Sequence, residues 1–156
     1  MKQGSPLSVW LMTLRSLSGS RPDLIEHYAK EVLNLEPEHR EAMYYLVSSY
    51  YMMQNFPLLL ESCRKALRLF PEEVWPYLNL GHYYFYHCQA DCYYYALQVY
   101  RYVLTRCPYG YNAKRAMRQI AEIYLINWEP AKAVSWLERA LALDPEDAEY
   151  RSRLAL

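Results

Sequence analysis

Apolar residues recur three or four positions apart along most of this chain. That is the period of a helix that buries one face. In "YLNLGHYYF", Tyr77, Leu80, Gly81 and Tyr84 fall on one side; in "AKAVSWLERALALDP", Ala133, Ala140 and Leu141 do. Prolines punctuate the pattern. Ser5-Pro6, Arg21-Pro22, Phe56-Pro57 and Glu129-Pro130 set a Pro in a first helical turn, where its missing N–H costs nothing. Asn55 and Asn127 are the expected caps near two of these starts. The pattern predicts helices over 6–18, 22–35, 38–53, 57–69, 73–88, 90–106, 111–126 and 130–143, with a last one over 146–155.

A second set of prolines closes helices, because Pro lacks a donor and keeps the residue before it out of the helical region. "EVLNLEPEH", "KALRLFPEE", "YVLTRCPYG" and "RALALDPED" place Pro37, Pro71, Pro108 and Pro145 at gaps of 34, 37 and 37 residues. Five residues before each stand Val32, Ala66, Val103 and Ala140; four before stand Leu33, Leu67, Leu104 and Leu141. Twelve before stand Ile25, Leu59, Ala96 and Ala133. Twenty-one before, allowing for three extra residues in the third unit, stand Ser16, Tyr50, Tyr84 and Tyr124.

In this register the chain resembles the tetratricopeptide repeat, a helical hairpin of about 34 residues, over roughly residues 6 to 156. The family's pattern has a small residue and an aromatic in helix A, an Ala-Leu pair late in helix B, and a closing Pro. The resemblance implies an all-α fold, a right-handed α-solenoid of stacked antiparallel helical hairpins in one domain spanning 1–156. Its units run over about 6–39, 40–73, 74–110 and 111–147, with a C-terminal capping helix at 146–156. The first unit departs from the pattern, with Thr13 and Ser16 in place of the small residue and the aromatic, as suits an end repeat with one face in water. In the second, Val47 and Leu59 replace small residues, which predicts a splayed hairpin.

Composition narrows the chemistry. The 156 residues carry 17 Lys and Arg against 17 Asp and Glu, so the clustered basic surplus of a nucleic-acid binder is missing. No apolar run reaches the roughly 18 residues of a membrane span. The opening "MKQGSPLSVWLMTLRSLSGS" reads as a folded helix rather than a leader, since Ser5-Pro6 opens its apolar stretch and Arg15 interrupts it. Cys63, Cys88, Cys92 and Cys107 form no dense disulfide framework, so reduced thiols and a cytoplasmic location are expected.

The stretch "HYYFYHCQADCYYY" gathers His82, His87, Cys88 and Cys92, all possible zinc ligands. Their spacing is poor for a metal: there is no C-x-x-C pair, and neighbours on a helix point about 100° apart. A Cys/His nucleophile has nothing beyond residue type to support it, and with four glycines the chain has little material for a phosphate loop. No metal, no cofactor and no catalysis are expected.

Recognition of another protein remains. The resemblance puts the helix A residues not used in packing on an inner, partner-facing surface. These are Tyr44, Tyr45, Ser48 and Tyr51 from the second unit, Trp75, Asn79, His82, Phe85 and Tyr86 from the third, and Arg115, Arg118 and Gln119 from the fourth. Eighteen tyrosines make this surface aromatic, and a tyrosine's rigid ring and polar tip suit a half-buried groove. The expected function is an adaptor that binds a partner peptide or helix, with Arg115 and Arg118 favouring an acidic end. Two alternatives stand beside it: a homo-oligomerising scaffold whose rings meet a second copy, and a small secretion-type chaperone for an extended segment, the latter by likeness of size. The family's carboxylate clamp for heat-shock chaperones is mostly missing. Asn79 fits it and Arg115 could replace its Lys, but Tyr44 and Ser48 stand where Lys and Asn belong, and Gln119 stands where Arg belongs. Tyr95 and Tyr102 fall on the outer face of their helix, a hint of a second interface.

Overall fold

In the computed structural model, residues 4–17, 19–87 and 92–143 are described. All regular structure among them is helical: α1 (Pro6–Ser16), α2 (Pro22–Leu35), α3 (Arg40–Met52), α4 (Phe56–Leu69), α5 (Trp75–His87), α6 (Cys92–Arg106), α7 (Tyr111–Ile126) and α8 (Pro130–Leu143). Pro145, the expected capping helix and the tip of the third hairpin lie outside the described residues.

The helix ends follow from their sequence. Ser5 Oγ accepts from the Ser8 N–H at 3.3 Å and Asn55 Oδ1 from the Leu58 N–H at 3.3 Å, each satisfying a donor that the first turn leaves open. A cap not expected from the sequence is His39, whose Nδ1 accepts from the Ala42 N–H at 3.1 Å. Asn127 differs from expectation: it closes α7, its N–H reaching the Ile123 and Leu125 carbonyls, and α8 starts at Pro130. The closing prolines act as predicted where described. Glu36, Phe70 and Cys107, each just before its Pro, donate at 2.8 Å to the carbonyls of Val32, Ala66 and Val103. The helix then stops.

The residues divide into two compact units, 1–83 and 84–156, with the boundary inside α5. In the first, α1 pairs with α2, α2 with α3, and α3 with α4. One core gathers Leu14, Ile25, Ala29, Val32 and Ala42. A second gathers Met43, Val47, Leu59, Cys63, Ala66 and Trp75. In the second unit α6 packs on α7 and α7 on α8, burying Ala96, Tyr100, Val103, Ala116, Ile120, Ala133, Leu137 and Ala140.

Burial tracks the repeat register. The position five before Pro is sealed in every unit, by Val32, Ala66, Val103 and Ala140, and the position twelve before by Ile25, Leu59, Ala96 and Ala133. The aromatic position is buried at Tyr50 and Tyr124, half-buried at Tyr84 and exposed at Ser16, the residue that breaks the pattern. The second repeat's bulky Val47 and Leu59 are both fully buried. A cleft lined by Met43, Leu46, Tyr50, Leu58 and Ser62 lies beside this hairpin.

Candidate functional site

The predicted surface residues of the first unit come from α3 and the start of α5. Tyr44, Tyr45, Ser48 and Tyr51 lie along α3 at helical spacing and are half-buried. Burial pushes the Tyr45 phenol up, and the Glu41 carboxylate adds to the rise. Trp75, Asn79 and His82 differ from expectation: they are buried, at 7%, 4% and 0% exposure. The cause is ring packing between α3 and α5. Tyr44 meets Trp75 edge-on with centroids 5.5 Å apart, and Tyr51 stacks on His82 at 4.7 Å and 26°. Asn79 turns inward and its Nδ2 donates to the Trp75 carbonyl at 2.9 Å, so this amide is engaged within its own helix. Aromatic pairs at these separations contribute roughly 0.5–1.5 kcal/mol beyond area burial. The α3 rings therefore hold α5 while remaining partly exposed themselves.

In the second unit Phe85 is half-buried, packed edge-on against Tyr86 at 4.7 Å, and Tyr86 itself is 44% exposed. Arg115, Arg118 and Gln119 lie half-buried along α7. The Arg115 guanidinium sits 5.4 Å from the Tyr111 ring centroid, a cation–π contact. The amide oxygen of Gln119 is shielded and accepts no hydrogen bond among the described residues. Farther along α7, Leu125 and Ile126 are exposed, and beyond them Trp128 is 91% exposed in the turn to α8. Sequence reasoning missed Trp128. Its signal was the repeat spacing: Trp128 follows Tyr124 by the same interval as Gln54 follows Tyr50, which places Trp128 where Gln54 stands in the earlier turn.

The Cys/His stretch does not assemble into a centre among the described residues. His82 is sealed under Tyr51, His87 is exposed, and Cys88 and the Cys92 side chain lie outside the described set. No three His, Cys, Asp or Glu side chains among the described residues could share a metal. Cys63 is buried, and burial pushes its thiol up to about 12, leaving almost no nucleophilic thiolate at neutral pH. No helix among the described residues is long and apolar enough to cross a membrane.

Comparison with known structures decides the architecture. TTC0263, a thermophilic TPR protein of Thermus thermophilus, superposes with a TM-score of 0.77 at 23% identity, over 96% of this chain and 78% of that one. The chain has the tetratricopeptide-repeat fold. MamA of Desulfovibrio magneticus RS-1, from residue 41 to its end, superposes at 0.70 with 21% identity over 97% of this chain and 82% of that one. PilF of Pseudomonas aeruginosa gives 0.72 at 18% identity, with this chain spanning 65% of its length. No protein-family model matches the sequence, and no curated protein matches it significantly. At these identities the likeness carries the tetratricopeptide-repeat fold and no more.

Proposed function

We propose that this protein is a non-catalytic protein-binding module that receives a partner peptide or helix on the helix A faces of its hairpins. The observation that carries the reading is the set of aromatic and apolar side chains that stay partly or fully solvent-exposed there. In the first unit these are the half-buried rings of Tyr44, Tyr45 and Tyr51 with the exposed Met52, and Ser48 supplies a hydroxyl among them. In the second they are Phe85 and Tyr86, and separately Arg115, Arg118 and Gln119 with Leu125, Ile126 and Trp128. Trp75, Asn79 and His82 act from beneath, fixing the α3 rings so that little side-chain entropy is left to lose on binding. Rings and an arginine fork are the residue types that dominate protein interfaces.

The test uses peptides selected from a random library against the wild-type protein. Affinity should fall at least about tenfold on Tyr86→Ala and on Arg115→Ala, which is about 1.4 kcal/mol for each. Glu61→Ala, on the exposed side of α4, should leave it unchanged. Selected peptides that ignore both helix A substitutions would overturn the reading.

A further inference from the structure

The outward face of α6 is not accounted for by the reading above. Tyr94, Tyr95, Arg101, Tyr102 and Arg106 are all exposed, and they fall within one arc of the helix; Ala96, Tyr100 and Val103 occupy the opposite arc and are fully buried. At about 100° per residue, the tyrosines occupy the middle of the exposed arc, with Arg101 on one border and Arg106 on the other. The Tyr95 ring is braced on both sides, by Tyr94 at 5.7 Å and by Tyr84 at 5.8 Å.

The charge on this face is one-sided. No Asp or Glu occurs in α6, and residues 92–143 hold seven Lys and Arg against three Asp and Glu. Three exposed arginines elsewhere meet carboxylates: Arg15 meets Glu41, Arg21 meets Asp23, and Arg40 meets Glu72. Arg101 and Arg106 instead lean on phenols. Arg101 Nη2 donates to the Tyr124 hydroxyl at 2.7 Å and Arg106 Nη1 to the Tyr102 hydroxyl at 3.3 Å. A phenol oxygen holds a guanidinium in place and leaves its charge unneutralised, with further N–H donors open to a carboxylate.

We propose that this face of α6 is a docking surface for an acidic polypeptide segment, one whose carboxylates flank apolar side chains. The apolar groups would lie on the tyrosine rings, and the carboxylates would take the two guanidinium forks at the borders. A nucleic-acid strand fits less well, because two border cations neutralise few phosphates and strand affinity depends on their number. The surface lies on a helix B and stands independently of the helix A reading.

The experiment measures binding of a fluorescein-labelled peptide of repeating Glu-Glu-Leu to the full chain, against its Gln-Gln-Leu counterpart and a short oligouridylate. The acidic peptide should bind at least about tenfold more tightly than the neutral one and weaken as salt rises. Arg101→Gln with Arg106→Gln should remove that preference, while Arg101→Lys with Arg106→Lys restores it in part. Tyr95→Ala with Tyr102→Ala should weaken the Glu-Glu-Leu peptide with its charge preference intact. Circular-dichroism melting of each variant separates loss of the site from loss of the fold, and Tyr86→Ala should leave this binding unchanged. The proposal is overturned by any of three results: no preference for the acidic peptide, full binding by the folded Gln variant, or tighter binding of the oligouridylate. A chain that light scattering finds dimeric, and that becomes monomeric in the Gln variant, overturns it too by giving the face to a second copy.

Discussion

At Trp128 the backbone takes a φ of 59°, and at Gln54 a φ of 54°, in the left-handed region that glycine normally fills. Both residues close a helix in the same way. Gln54 N–H donates to Tyr51 O at 3.0 Å and Asn55 N–H to Tyr50 O at 3.0 Å; Trp128 N–H donates to Leu125 O at 3.2 Å and Glu129 N–H to Tyr124 O at 2.8 Å. A side chain in this conformation costs about 1–2 kcal/mol against the right-handed form, partly offset by the greater entropy glycine loses on folding. Both side chains are exposed, so little packing is lost on removing them. Gln54→Gly and Trp128→Gly should therefore each raise stability by roughly 0.5–1 kcal/mol, read from urea unfolding midpoints at unchanged slope. A loss of stability in Trp128→Gly would mean that the indole packs against something in solution. A tryptophan that is both exposed and set in an unfavourable turn is hard to account for by folding alone, which is why it belongs with the candidate binding residues.

Between elements, the first unit is tied by charge as well as by its core. Arg15 on α1 grips Glu41 on α3 with two parallel hydrogen bonds from one guanidinium edge, Nε to Oε1 at 2.7 Å and Nη2 to Oε2 at 2.8 Å. The hydrogen bond from Arg15 holds the Glu41 carboxyl below its usual range, with burial opposing it. A carboxyl lowered on folding adds stability above its unfolded pKa and loses it as pH falls toward the folded value. The benefit should thus be complete at neutral pH and fade below about pH 4.3, where the unfolded chain's carboxyl starts to hold its proton. Because the pair is largely exposed, the melting temperature of Glu41→Gln should lie no more than about 2–4 °C below wild type at pH 7. That gap should narrow as pH falls from there through the folded value, and a gap that stayed constant with pH would exclude the ion pair as its cause. The elements themselves were legible where local chemistry sets them, as with Pro6, Asn55 and the closing prolines. His39 was not, since a histidine rarely caps, and Asn127 was misjudged because an Asn between two helices can serve either end. The site was legible only in part. Helical register told which side of α5 carries Trp75 and His82; it could not tell that Tyr44 and Tyr51 reach across from α3 and cover them.

For the molecule as a whole, a repeat array has a stability built from local terms, since each helix packs chiefly on its sequence neighbours. Here the packed helix pairs follow chain order, α1 on α2, α2 on α3, α3 on α4, then α6 on α7 and α7 on α8. Leu59 is fully buried in the first unit, in the position that most repeats fill with a small residue. Leu59→Ala removes its packing and should cost about 2–5 kcal/mol, less if α3 and α4 close on the space left behind. If coupling is local, the damage stays local: hydrogen exchange followed by mass spectrometry should show faster exchange in α3 and α4, with protection in α7 and α8 nearly unchanged. Equal loss across all of these helices would instead make the chain a single cooperative block. A partner gripping one hairpin would then be felt at every other, whereas local coupling lets the helix A faces and the α6 face be occupied without reference to one another.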